Sequence, residues 1–530
     1  MAGQNFLSRR NFLGLAAAAA TAAGLGLVGC SPSNSSANGG DNTANGGASS
    51  GYTPGPIKET IDTDIVVVGL GMSGLAAAVQ TGNNGDKVVG IEATSVTGGN
   101  GVGVEGIFAV GSDLQRAAQI EINPVEVITT EMKEFQMIAD GALWYKFIEA
   151  SGQNVSWLIQ QGVEFSGTVD DYFGSGVVKS FHWFKDNLAS KGYIPQMTAK
   201  AQALGVDIRL NTAGKALITD NGTVKGLYAE DSNGNTIQIN AKAVILACGG
   251  YAQNQEYMTE RGWNWENIVY GGTPNHNGDG LQMAFAAGAR SFVKQSAYNT
   301  TNICGQGDTF QWKADPFTAT FCGAGMFGMG GNQLWVNQDA SRFINEDFAK
   351  DNFELQCVPA MTHRTMYSVF DRNILETGLG GDATAISRVD TINEKDLAKA
   401  NTIAEVANYF NLDANTLQAT IQRYNDLCNA GQDDDFGKPA DLMIAIKQPP
   451  YYIAKLNQYY LMSVGGIECN INAQAVNETK QPIAGLYAVG TDGCMLYRNI
   501  YTINVPGTCN GNNINSGRSA ANHAHSVIAG

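Results

Sequence analysis

Residues 63–79, TDIVVVGLGMSGLAAAV, decide the fold. An apolar, β-branched run leads into glycines and then into an alanine-rich segment, a pattern that predicts a buried strand, a tight turn and a helix. The glycines have the spacing G-x-G-x-x-G: Gly69 allows the turn, Gly71 lets a pyrophosphate approach the backbone, and Gly74 permits close helix packing. The helix N-terminus attracts phosphate. The stretch therefore predicts a dinucleotide-binding turn.

A second strand pattern, DKVVGIEAT, ends in an acidic residue. Glu92 lies 18 residues after Gly74, where a carboxylate would hold a ribose hydroxyl of the dinucleotide. The strand, the helix and the acid together make a purely structural glycine turn the weaker alternative. The residues predicted to bind the dinucleotide in this part of the chain are Gly69, Gly71, Met72, Ser73, Gly74 and Glu92.

The chain begins with an export address. Arg9 and Arg10 precede an Ala/Gly-rich apolar run that ends at Cys30, and at about 17 residues this run is a weak membrane span. The arginine pair resembles a twin-arginine signal, and the residues before Cys30 resemble a lipoprotein cleavage box. We therefore expect an exported protein, lipid-anchored at Cys30 on the outer face of the cytoplasmic membrane. Residues 31–59 would be a flexible Ser/Asn/Gly-rich tether.

Composition restricts the classes of ligand. The 530 residues carry a net charge of −16, with no basic run after the signal, which argues against nucleic acid and anionic lipid. The nine cysteines include no C-x-x-C pair, which excludes the usual haem-attachment and iron–sulfur spacings. Five histidines offer little for metal binding, so we predict no metal site. Irregular cysteine spacing and a large core favour buried free thiols over disulfides.

The folded region reads as a nucleotide-binding core with an insertion. Helical periodicity covers residues 121–165, an Asn221-Gly222 turn joins two strand patterns as a hairpin, and short strands with glycines return near the C-terminus. The predicted boundaries are a signal at 1–30, a tether at 31–59, the two parts of the nucleotide-binding domain at 60–307 and 463–530, and an inserted domain at 308–462.

The export signal favours FAD over NAD as the dinucleotide. No NADH pool is maintained outside the cytoplasm, so an exported redox enzyme needs a cofactor that stays bound and is recharged in place. A flavin is loaded where it is made, into a folded protein, and the twin-arginine route moves proteins that have already folded. We therefore predict one non-covalently bound FAD.

Four further stretches resemble the flavoprotein family of fumarate reductases and succinate dehydrogenases. They are TGGNG (97–101), AVILACGGYAQN (243–254), LWVNQDASRFINED (334–347) and PIAGLYAVGTDG (482–493). The likeness extends to urocanate reductases and ketosteroid dehydrogenases and covers nearly all of residues 60–530. The resemblance implies an α/β fold: a Rossmann-like FAD-binding domain of the glutathione-reductase type, interrupted by an α+β capping domain that closes over flavin and substrate.

The same resemblance implies which residues line the flavin. The TGGNG segment would lie along it, and Gly490 and Asp492 would lie beside its ribityl chain. The implied cofactor residues are Thr97, Gly98, Gly99, Asn100, Gly101, Gly249, Gly490 and Asp492.

Most members of this family reduce an activated C=C bond, with hydride from the flavin going to one carbon while a side chain protonates the other. The family's acid is an arginine four residues after an R-F-x-N-E motif; here Lys350 stands at that place. Lysine gives up a proton more readily than arginine, because its reference pKa of about 10.4 falls further on desolvation. The alternative is a solvated Lys350 paired with Asp351. Tyr497 and Tyr501 are the reserve acids.

The motif itself contains a further candidate. Arg342 opens it, and we group this arginine with the catalytic candidates while expecting it to be structural. Its expected partner is Glu346 or a backbone carbonyl group.

Departures from the family pattern argue against a C4 dicarboxylate as the substrate. By alignment with the family, Met326 and Met329 replace a proton-relaying Glu and Arg, and Met462 or Ser463 replaces a histidine. Asn504 lies near the place of the arginine that grips a substrate carboxylate. The groups that would hold two carboxylates are therefore missing from this chain.

Tyrosines stand in their place. Tyr459, Tyr460, Tyr497 and Tyr501, with Arg498 as the nearby cation, predict a wall for a flat, mostly uncharged substrate. Any single tyrosine is still more often a core residue than a ligand contact. The predicted substrate residues are Tyr459, Tyr460, Arg498 and Asn504.

The predicted function is an exported, FAD-dependent reductase of the C=C bond of a small aromatic or conjugated molecule, used as an anaerobic respiratory electron acceptor. The chain has no haem, iron–sulfur or second flavin pattern, so a separate membrane-associated donor, a cytochrome or an FMN protein, would supply electrons. Two alternatives stay open: a dehydrogenase that introduces a C=C bond into a steroid-like ring, and a non-catalytic lipoprotein that binds a flavin or another ligand.

Overall fold

The computed structural model describes residues 51–304 except 173 and 175, together with 331–349, 353–378, 381, 383–390 and 396–530. Several residues singled out from the sequence lie outside the described residues: Arg9, Arg10, Cys30, Met326, Met329, Lys350 and Asp351.

The described helices and strands are numbered here in chain order. The strands are β1 Ile57–Val68, β2 Val88–Ile91, β3 Gly106–Phe108, β4 Phe165–Asp170, β5 Phe181–Phe184, β6 Asp207–Arg209, β7 Thr212–Asp220, β8 Thr223–Asp231, β9 Thr236–Leu246, β10 Ile268–Tyr270, β11 Ala297–Cys304, β12 Leu334–Asn337, β13 Met366–Asp371, β14 Leu397–Ala400, β15 Tyr451–Val464, β16 Gln474–Val476 and β17 Pro482–Ala488. The helices are α1 Met72–Asn83, α2 Asp113–Ala117, α3 Pro124–Glu134, α4 Gly141–Gln160, α5 Ala189–Gly192, α6 Ile194–Ala203, α7 Gln255–Arg261, α8 Asp279–Ala286, α9 Arg372–Gly378, α10 Ala383–Asp390, α11 Ile403–Tyr409, α12 Ala414–Ala430 and α13 Thr508–Ala529.

An eight-stranded sheet contains the predicted nucleotide-binding strand. Its order is β16-β17-β9-β1-β2-β6, and β8 and β7 extend it from β9 as antiparallel strands. β1 pairs in parallel with both β2 and β9. Its last four residues are at most 4% exposed, as expected for an apolar strand covered on both faces. The predicted strand, turn and helix are confirmed, because β1 leads into Gly69 and α1 begins at Met72.

A six-stranded sheet is built around the long strand β15. This strand pairs with β10, β11, β13 and β14, and β12 joins through β13. Strands β10 and β11 precede residue 308, and β15 runs through residue 462, so the sheet takes strands from both sides of those positions. The division of the chain into domains at 308 and 462 stays a prediction.

Two local predictions are also confirmed. Helices α3 and α4 cover most of the segment with helical periodicity, and Asn123 and Asp140 cap them by accepting hydrogen bonds from backbone N–H groups two residues on. Asn221 and Gly222 both have positive φ, as the tight hairpin turn between β7 and β8 requires. A third sheet, β3-β5-β4, is antiparallel and lies next to these helices in the chain.

The described cysteines that are free thiols, as the sequence favours, include Cys248, Cys428, Cys469 and Cys494. Among the described helices, none has the length and apolarity to cross a membrane. The described residues also hold no group of three or more His, Cys, Asp or Glu side chains arranged to bind a metal ion.

Candidate active site

Two glycine loops meet where β1 ends: the first is residues 69–74 and the second is residues 97–101. Gly71 forms a parallel bridge with Gly98, and the Gly98 N–H donates to the Leu70 carbonyl at 2.9 Å. A Cβ on Gly74 would lie 1.9 Å from the carbonyl oxygen of Gly69, so only glycine lets α1 begin this close to the turn. The N-cap of α1 is Gly71, which has no side chain to bond the first N–H groups of the helix. Those groups are available to an anion.

The Glu92 side chain stabilises this turn by hydrogen bonds. One carboxylate oxygen accepts a hydrogen bond from the Leu70 N–H at 2.9 Å, and the other accepts from the N–H and the hydroxyl of Thr94, both at 2.9 Å. A carboxylate offers about four lone-pair positions, so three hydrogen bonds leave room for a ribose hydroxyl. Glu92 is therefore placed where the sequence predicts it, and it also shapes the turn itself.

Asn100 joins the second glycine loop to β15. Its amide nitrogen donates to the Leu461 carbonyl at 2.8 Å, and its amide oxygen accepts from the N–H and hydroxyl of Thr273 at 2.6 and 2.9 Å. The Thr97 hydroxyl is likewise engaged, with the hydroxyl of Thr198 at 2.8 Å. These side chains hold the loop in place, which leaves its backbone to face a cofactor.

His276, which no sequence pattern marked, lies against the glycine turn after β9. A Cβ on Gly249, whose φ is +91°, would approach the Nε2 atom of His276 to 2.6 Å. The Nδ1 atom lies 2.9 Å from the Tyr270 hydroxyl and 2.8 Å from the Thr273 carbonyl oxygen. Burial lowers the pKa of His276, so the ring is neutral at pH 7. A neutral ring beside Gly249 keeps this turn close to the second glycine loop.

The Asp492 side chain bonds the protein's own backbone, and its place beside a ribityl chain stays a prediction. Asp492 is 0% exposed, and its two oxygens accept hydrogen bonds from the N–H groups of Cys248 and Gly250 at 2.6 and 2.7 Å. Burial raises its pKa to about 6, although these hydrogen bonds lower it. The two N–H donors stabilise the buried carboxyl, since a buried carboxyl without hydrogen bonds would destabilise the fold. In return, the carboxyl holds the backbone of the turn after β9 in place. Gly490 abuts the first loop instead: a Cβ there would lie 2.3 Å from the Ser73 hydroxyl.

These features fit a bound dinucleotide. The uncapped helix α1 provides N–H groups for a pyrophosphate, Glu92 retains acceptor capacity for a ribose, and the glycines at 71, 98 and 490 bring backbone atoms close together. The long C-terminal helix α13 begins at a second N-cap without a side chain, Gly507. Both helix ends favour a negatively charged ligand.

An aromatic wall packs beside the first turn of α13. Tyr497 is 1% exposed, and its hydroxyl lies 2.5 Å from the hydroxyl of Thr508. Its ring lies 5.1 Å from the ring of Tyr501 and 6.0 Å from that of Trp144, whose indole N–H donates to the Leu496 carbonyl. Burial raises the pKa of Tyr497 well above its ordinary value, so it is a weaker proton donor than a solvated phenol. We call residues 496–508 the tyrosine loop.

The structure corrects the expectation for Tyr460. Tyr459 and Tyr460 are neighbours on β15, so their side chains point to opposite faces of the sheet. Tyr460 is 0% exposed and packs edge-on against Trp263 and Tyr298, with ring centroids 5.0 and 5.3 Å away. It is a core residue and offers no surface to a ligand. Tyr459 is partly exposed, and burial raises its pKa to about 12.

Arg498 and Asn504 both lie on the tyrosine loop. The Arg498 guanidinium donates to the carbonyls of Met495 and Tyr497 and lies 4.4 Å from the centre of the Phe292 ring. No carboxylate of the described residues lies within ion-pair distance of it, and burial lowers its pKa. The carbonyl of Asn504 accepts a hydrogen bond from the Val177 N–H at 2.8 Å. Arg498 therefore remains able to pair with a ligand.

Arg342 lies in a buried cluster of four charges. Its guanidinium donates two hydrogen bonds to Glu346, at 2.9 Å each, and two to Asp433, at 3.0 and 2.8 Å. The ammonium of Lys438, 0% exposed, lies 3.3 Å from Glu346. The expected pairing of Arg342 with Glu346 is present, whereas Asp433 and Lys438 were not anticipated. Because its guanidinium already donates to both Glu346 and Asp433, Arg342 is a structural residue and not a proton donor.

Two acidic residues near these loops were also missed. Glu105 follows the second glycine loop; burial raises its pKa to about 7, and the Tyr172 hydroxyl donates to it at 3.4 Å. Glu131 on α3 is fully buried and accepts a hydrogen bond from Thr502. An acid directly after the glycine loop was a signal available for Glu105. No local pattern marks Glu131, because its partner lies 371 residues away.

Comparison with known proteins agrees with this geometry. The family described as FAD binding domain, FAD_binding_2, matches residues 64–504. The chain is 32% identical over 485 residues to the vinyl phenol reductase of Lactiplantibacillus plantarum, covering 87% of this chain and 96% of that protein. It is 28% identical over 431 residues to a fumarate reductase (cytochrome) of Shewanella frigidimarina, covering 81% of this chain and 71% of that protein.

The fold has close structural neighbours as well. The 3-ketosteroid-delta4-(5alpha)-dehydrogenase of Rhodococcus jostii RHA1 superposes with a TM-score of 0.64 at 20% identity, covering 89% of this chain and 98% of that one. This likeness concerns the fold, and it confirms the predicted α/β architecture. With the family match over most of its length and the glycine cradle described above, the chain belongs to the FAD_binding_2 family and is an FAD-dependent oxidoreductase of the fumarate reductase type.

Proposed function

We propose that this protein reduces the C=C bond of a small aromatic alkene, with a vinylphenol-like molecule as the best-supported substrate class. The observation that carries the proposal is the tyrosine loop: Asn504 stands near the place of the family's carboxylate-binding arginine, and Tyr501, at 9% exposure, is the most exposed ring of the aromatic wall, whereas Tyr497 and Trp144 are buried. Tyr501 can meet the edge or face of a flat ring, whereas a dicarboxylate would lack its partners. The relative at 32% identity, a vinyl phenol reductase, supports the same class.

The work of the reaction divides between the cofactor and the chain. Bound FAD supplies the hydride that goes to one carbon of the double bond. The chain must exclude water, hold the ring beside Tyr501 and bring a proton to the other carbon. Lys350 is our proposed proton donor, and Tyr497 and Tyr501 are the reserves. Tyr497 is the weaker reserve, since its hydroxyl is already bonded to Thr508.

The decisive experiment is anaerobic reoxidation of the flavin. We reduce the purified holoprotein with dithionite, remove the excess, and mix it with 4-vinylphenol, fumarate, urocanate or cinnamate while following flavin absorbance. The expected result is fast reoxidation by 4-vinylphenol and none by fumarate. Rapid reoxidation by fumarate, with none by any aromatic alkene, would overturn the proposal.

A dehydrogenase is the second candidate, supported by the steroid dehydrogenase neighbour at a TM-score of 0.64. Here the oxidised holoprotein is mixed anaerobically with 4-androstene-3,17-dione. Loss of the oxidised flavin spectrum would favour this candidate over the reductase. A flavin whose redox state responds to none of these compounds would favour a non-catalytic binding protein.

Substitution of Lys350 tests the proposed acid. Lys350→Ala should slow single-turnover reoxidation by ~10²–10⁴-fold, the range that a positioned general acid contributes. Lys350→Arg, which restores the family's residue, should keep part of the rate, and FAD content should be unchanged in both variants. Tyr497→Phe and Tyr501→Phe are the comparison variants. If Lys350→Ala reacts within about threefold of wild type, the role passes to whichever tyrosine variant fails.

The cellular setting is part of the proposal. We propose export by the twin-arginine route, lipid attachment at Cys30, a respiratory role, and electrons from a separate cytochrome or FMN protein. Changing Arg9 and Arg10 to lysine should leave the protein in the cytoplasm. Cys30→Ala should release the exported protein from the membrane, and unchanged membrane attachment of that variant would contradict the anchor.

The FAD is proposed to be held without a covalent bond. Acid precipitation of the holoprotein should then leave all of the yellow chromophore in the supernatant as FAD. Flavin that stays with the precipitate, or FMN in the supernatant, would contradict this.

A further inference from the structure

Glu131 is a buried carboxyl on the helix that packs against the aromatic wall. Its side chain is 0% exposed, and one oxygen accepts a hydrogen bond from the Thr502 hydroxyl at 2.6 Å. The other oxygen has no hydrogen-bond partner among the described residues. Thr502 is 1% exposed and follows Tyr501 directly in the tyrosine loop. A single hydrogen bond thus connects α3 to the loop that carries the proposed substrate residues.

The surroundings of Glu131 are apolar. Val127 of α3 and Phe135, the residue that follows the helix, belong to the same buried cluster as Tyr497 and Tyr501. No cation of the described residues lies within ion-pair distance of Glu131. Three sets of charged or titratable groups lie on the elements packed around it. Helix α3 has Glu126, Lys133 and Glu134, and the tyrosine loop has Tyr497, Arg498 and Tyr501. Helix α4 has Tyr145, Lys146 and Glu149, with Asp140 as its N-cap. None of these groups compensates a negative charge on Glu131.

Glu131 is therefore a neutral acid when the protein is folded at pH 7. Burial raises its pKa to about 8; the Thr502 hydrogen bond lowers it, and the nearby charge of Glu134 raises it. Burying a carboxyl with one unpaired oxygen destabilises the fold, and a glutamine would make the same hydrogen bond without ionising. A buried carboxyl with a shifted pKa beside a candidate site is a candidate for a role at that site.

We propose that Glu131 is a positioning residue for the tyrosine loop, which its buried side chain holds against α3 by accepting the hydrogen bond from Thr502. The proposal rests on the proposed function only in taking this loop as the substrate wall. The bond fixes the backbone at Thr502, next to Tyr501 and two residues before Asn504. Loss of the bond would let both residues move away from a bound ring.

This arrangement makes the order of the loop depend on pH. When the loop opens, Glu131 meets water and its pKa returns to about 4.5, whereas in the closed loop it is about 8. Opening is thus favoured by ionisation at every pH between these values. The opening equilibrium should rise about tenfold per pH unit from pH 5 to pH 8 and level off above pH 8, where the closed form also ionises.

Hydrogen exchange measures this opening without any substrate. The holoprotein is labelled at pH 5, 6, 7 and 8, and exchange of peptides covering residues 496–508 is corrected for the intrinsic pH dependence. The wild type should lose protection by about tenfold per pH unit, whereas Glu131→Gln should show no such loss. Glu126→Gln, an exposed acid on the same helix, is the matched control and should behave as wild type. Equal pH dependence in wild type and Glu131→Gln would overturn the proposal.

Single-turnover reoxidation by 4-vinylphenol separates positioning from simple space filling. Glu131→Gln should keep the wild-type rate, while Glu131→Leu, which fills the same space but cannot accept from Thr502, should lose about tenfold. Thr502→Val removes the donor and should show the same loss. A fully active Glu131→Leu would overturn the proposal. Failure of 4-vinylphenol to react with wild type would count against the proposed function, while the exchange experiment would still decide the role of Glu131.

Discussion

Two regions of the molecule differ in whether their buried ionisable groups have partners of opposite charge. Around Arg342, two cations and two carboxylates share one buried cluster, and every charge has an opposite partner within 3.3 Å. Around the glycine turns and the tyrosine loop, Glu131 and Asp492 are buried without any cation at ion-pair distance in the described structure. The first arrangement stays charged at neutral pH. In the second, burial raises the pKa of Glu131 to about 8 and that of Asp492 to about 6, so the charge of these carboxyls changes with pH near neutrality.

The pKa shifts of these groups have opposite signs in the two regions. Burial would raise the pKa of Asp433, but hydrogen bonds from Arg342 and from backbone N–H groups hold it at about 2. Burial raises the pKa of Glu131 to about 8 with little to oppose it. The paired region therefore loses stability in acid, and the unpaired region loses stability as the pH rises. This contrast can be tested one charge at a time.

The largest effect is expected from removing one charge of the paired cluster. Lys438→Met leaves two buried carboxylates with only Arg342 as a counter-ion, and breaking a buried pair in this way costs about 3–5 kcal/mol of unfolding free energy. Urea unfolding followed by tryptophan fluorescence, which reports on Trp335 beside the cluster, measures the loss. A loss below about 1 kcal/mol would mean that the cluster is not electrostatically coupled.

The next effect comes from the unpaired region and has the opposite sign. Below pH 4.5 Glu131 is neutral in both folded and unfolded chains, so Glu131→Gln should change little. Between pH 4.5 and pH 8 only the unfolded chain ionises, so the variant should gain about 1.4 kcal/mol of relative stability per pH unit. Chemical unfolding at pH 5, 6, 7 and 8 checks this. A gain that does not depend on pH would contradict the assignment of a neutral carboxyl.

The unfolding free energy of Asp433→Asn should depend on pH in the opposite sense to that of Glu131→Gln. The folded-state pKa of Asp433 lies below its ordinary value of 3.8, so its stabilising charge is present above pH 4 and is lost as the pH falls toward 2. The variant should lose about 2 kcal/mol at pH 7 and nearly nothing near pH 2. The same unfolding series, extended to acid, measures both ends. Equal destabilisation at pH 7 and near pH 2 would show that packing, not charge, is lost.

The smallest effect serves as the reference for the others. Arg423 and Asp435 form an ion pair on the surface close to the paired cluster, and the Arg423 side chain is 56% exposed. Arg423→Ala should leave the unfolding free energy nearly unchanged, because water screens an exposed pair. A loss comparable to that of Lys438→Met would show that exposure does not distinguish these pairs.

Much of the fold and part of the site could be predicted from local pattern. The strand, glycine turn and helix at residues 63–79, the position of Glu92, the helices within 121–165 and the hairpin at Asn221 all depend on residues close together in the chain. For such segments the backbone preferences and the periodicity of apolar residues are sufficient information. The pairing of Arg342 with Glu346, four residues on, belongs to the same class.

The tertiary structure alone decided the rest. Arg342 meets Asp433 across 91 residues, Asn100 meets the Leu461 carbonyl across 361, and Glu131 meets Thr502 across 371. Tyr459 and Tyr460 are adjacent tyrosines whose side chains lie on opposite faces of the sheet. Only the packing of those faces determines that Tyr460 is a core residue and Tyr459 is partly exposed. The physical reason is that local sequence sets the conformation of a segment, whereas burial and long-range partners are set by which segments pack together, and the charge state of a buried carboxyl follows from that packing.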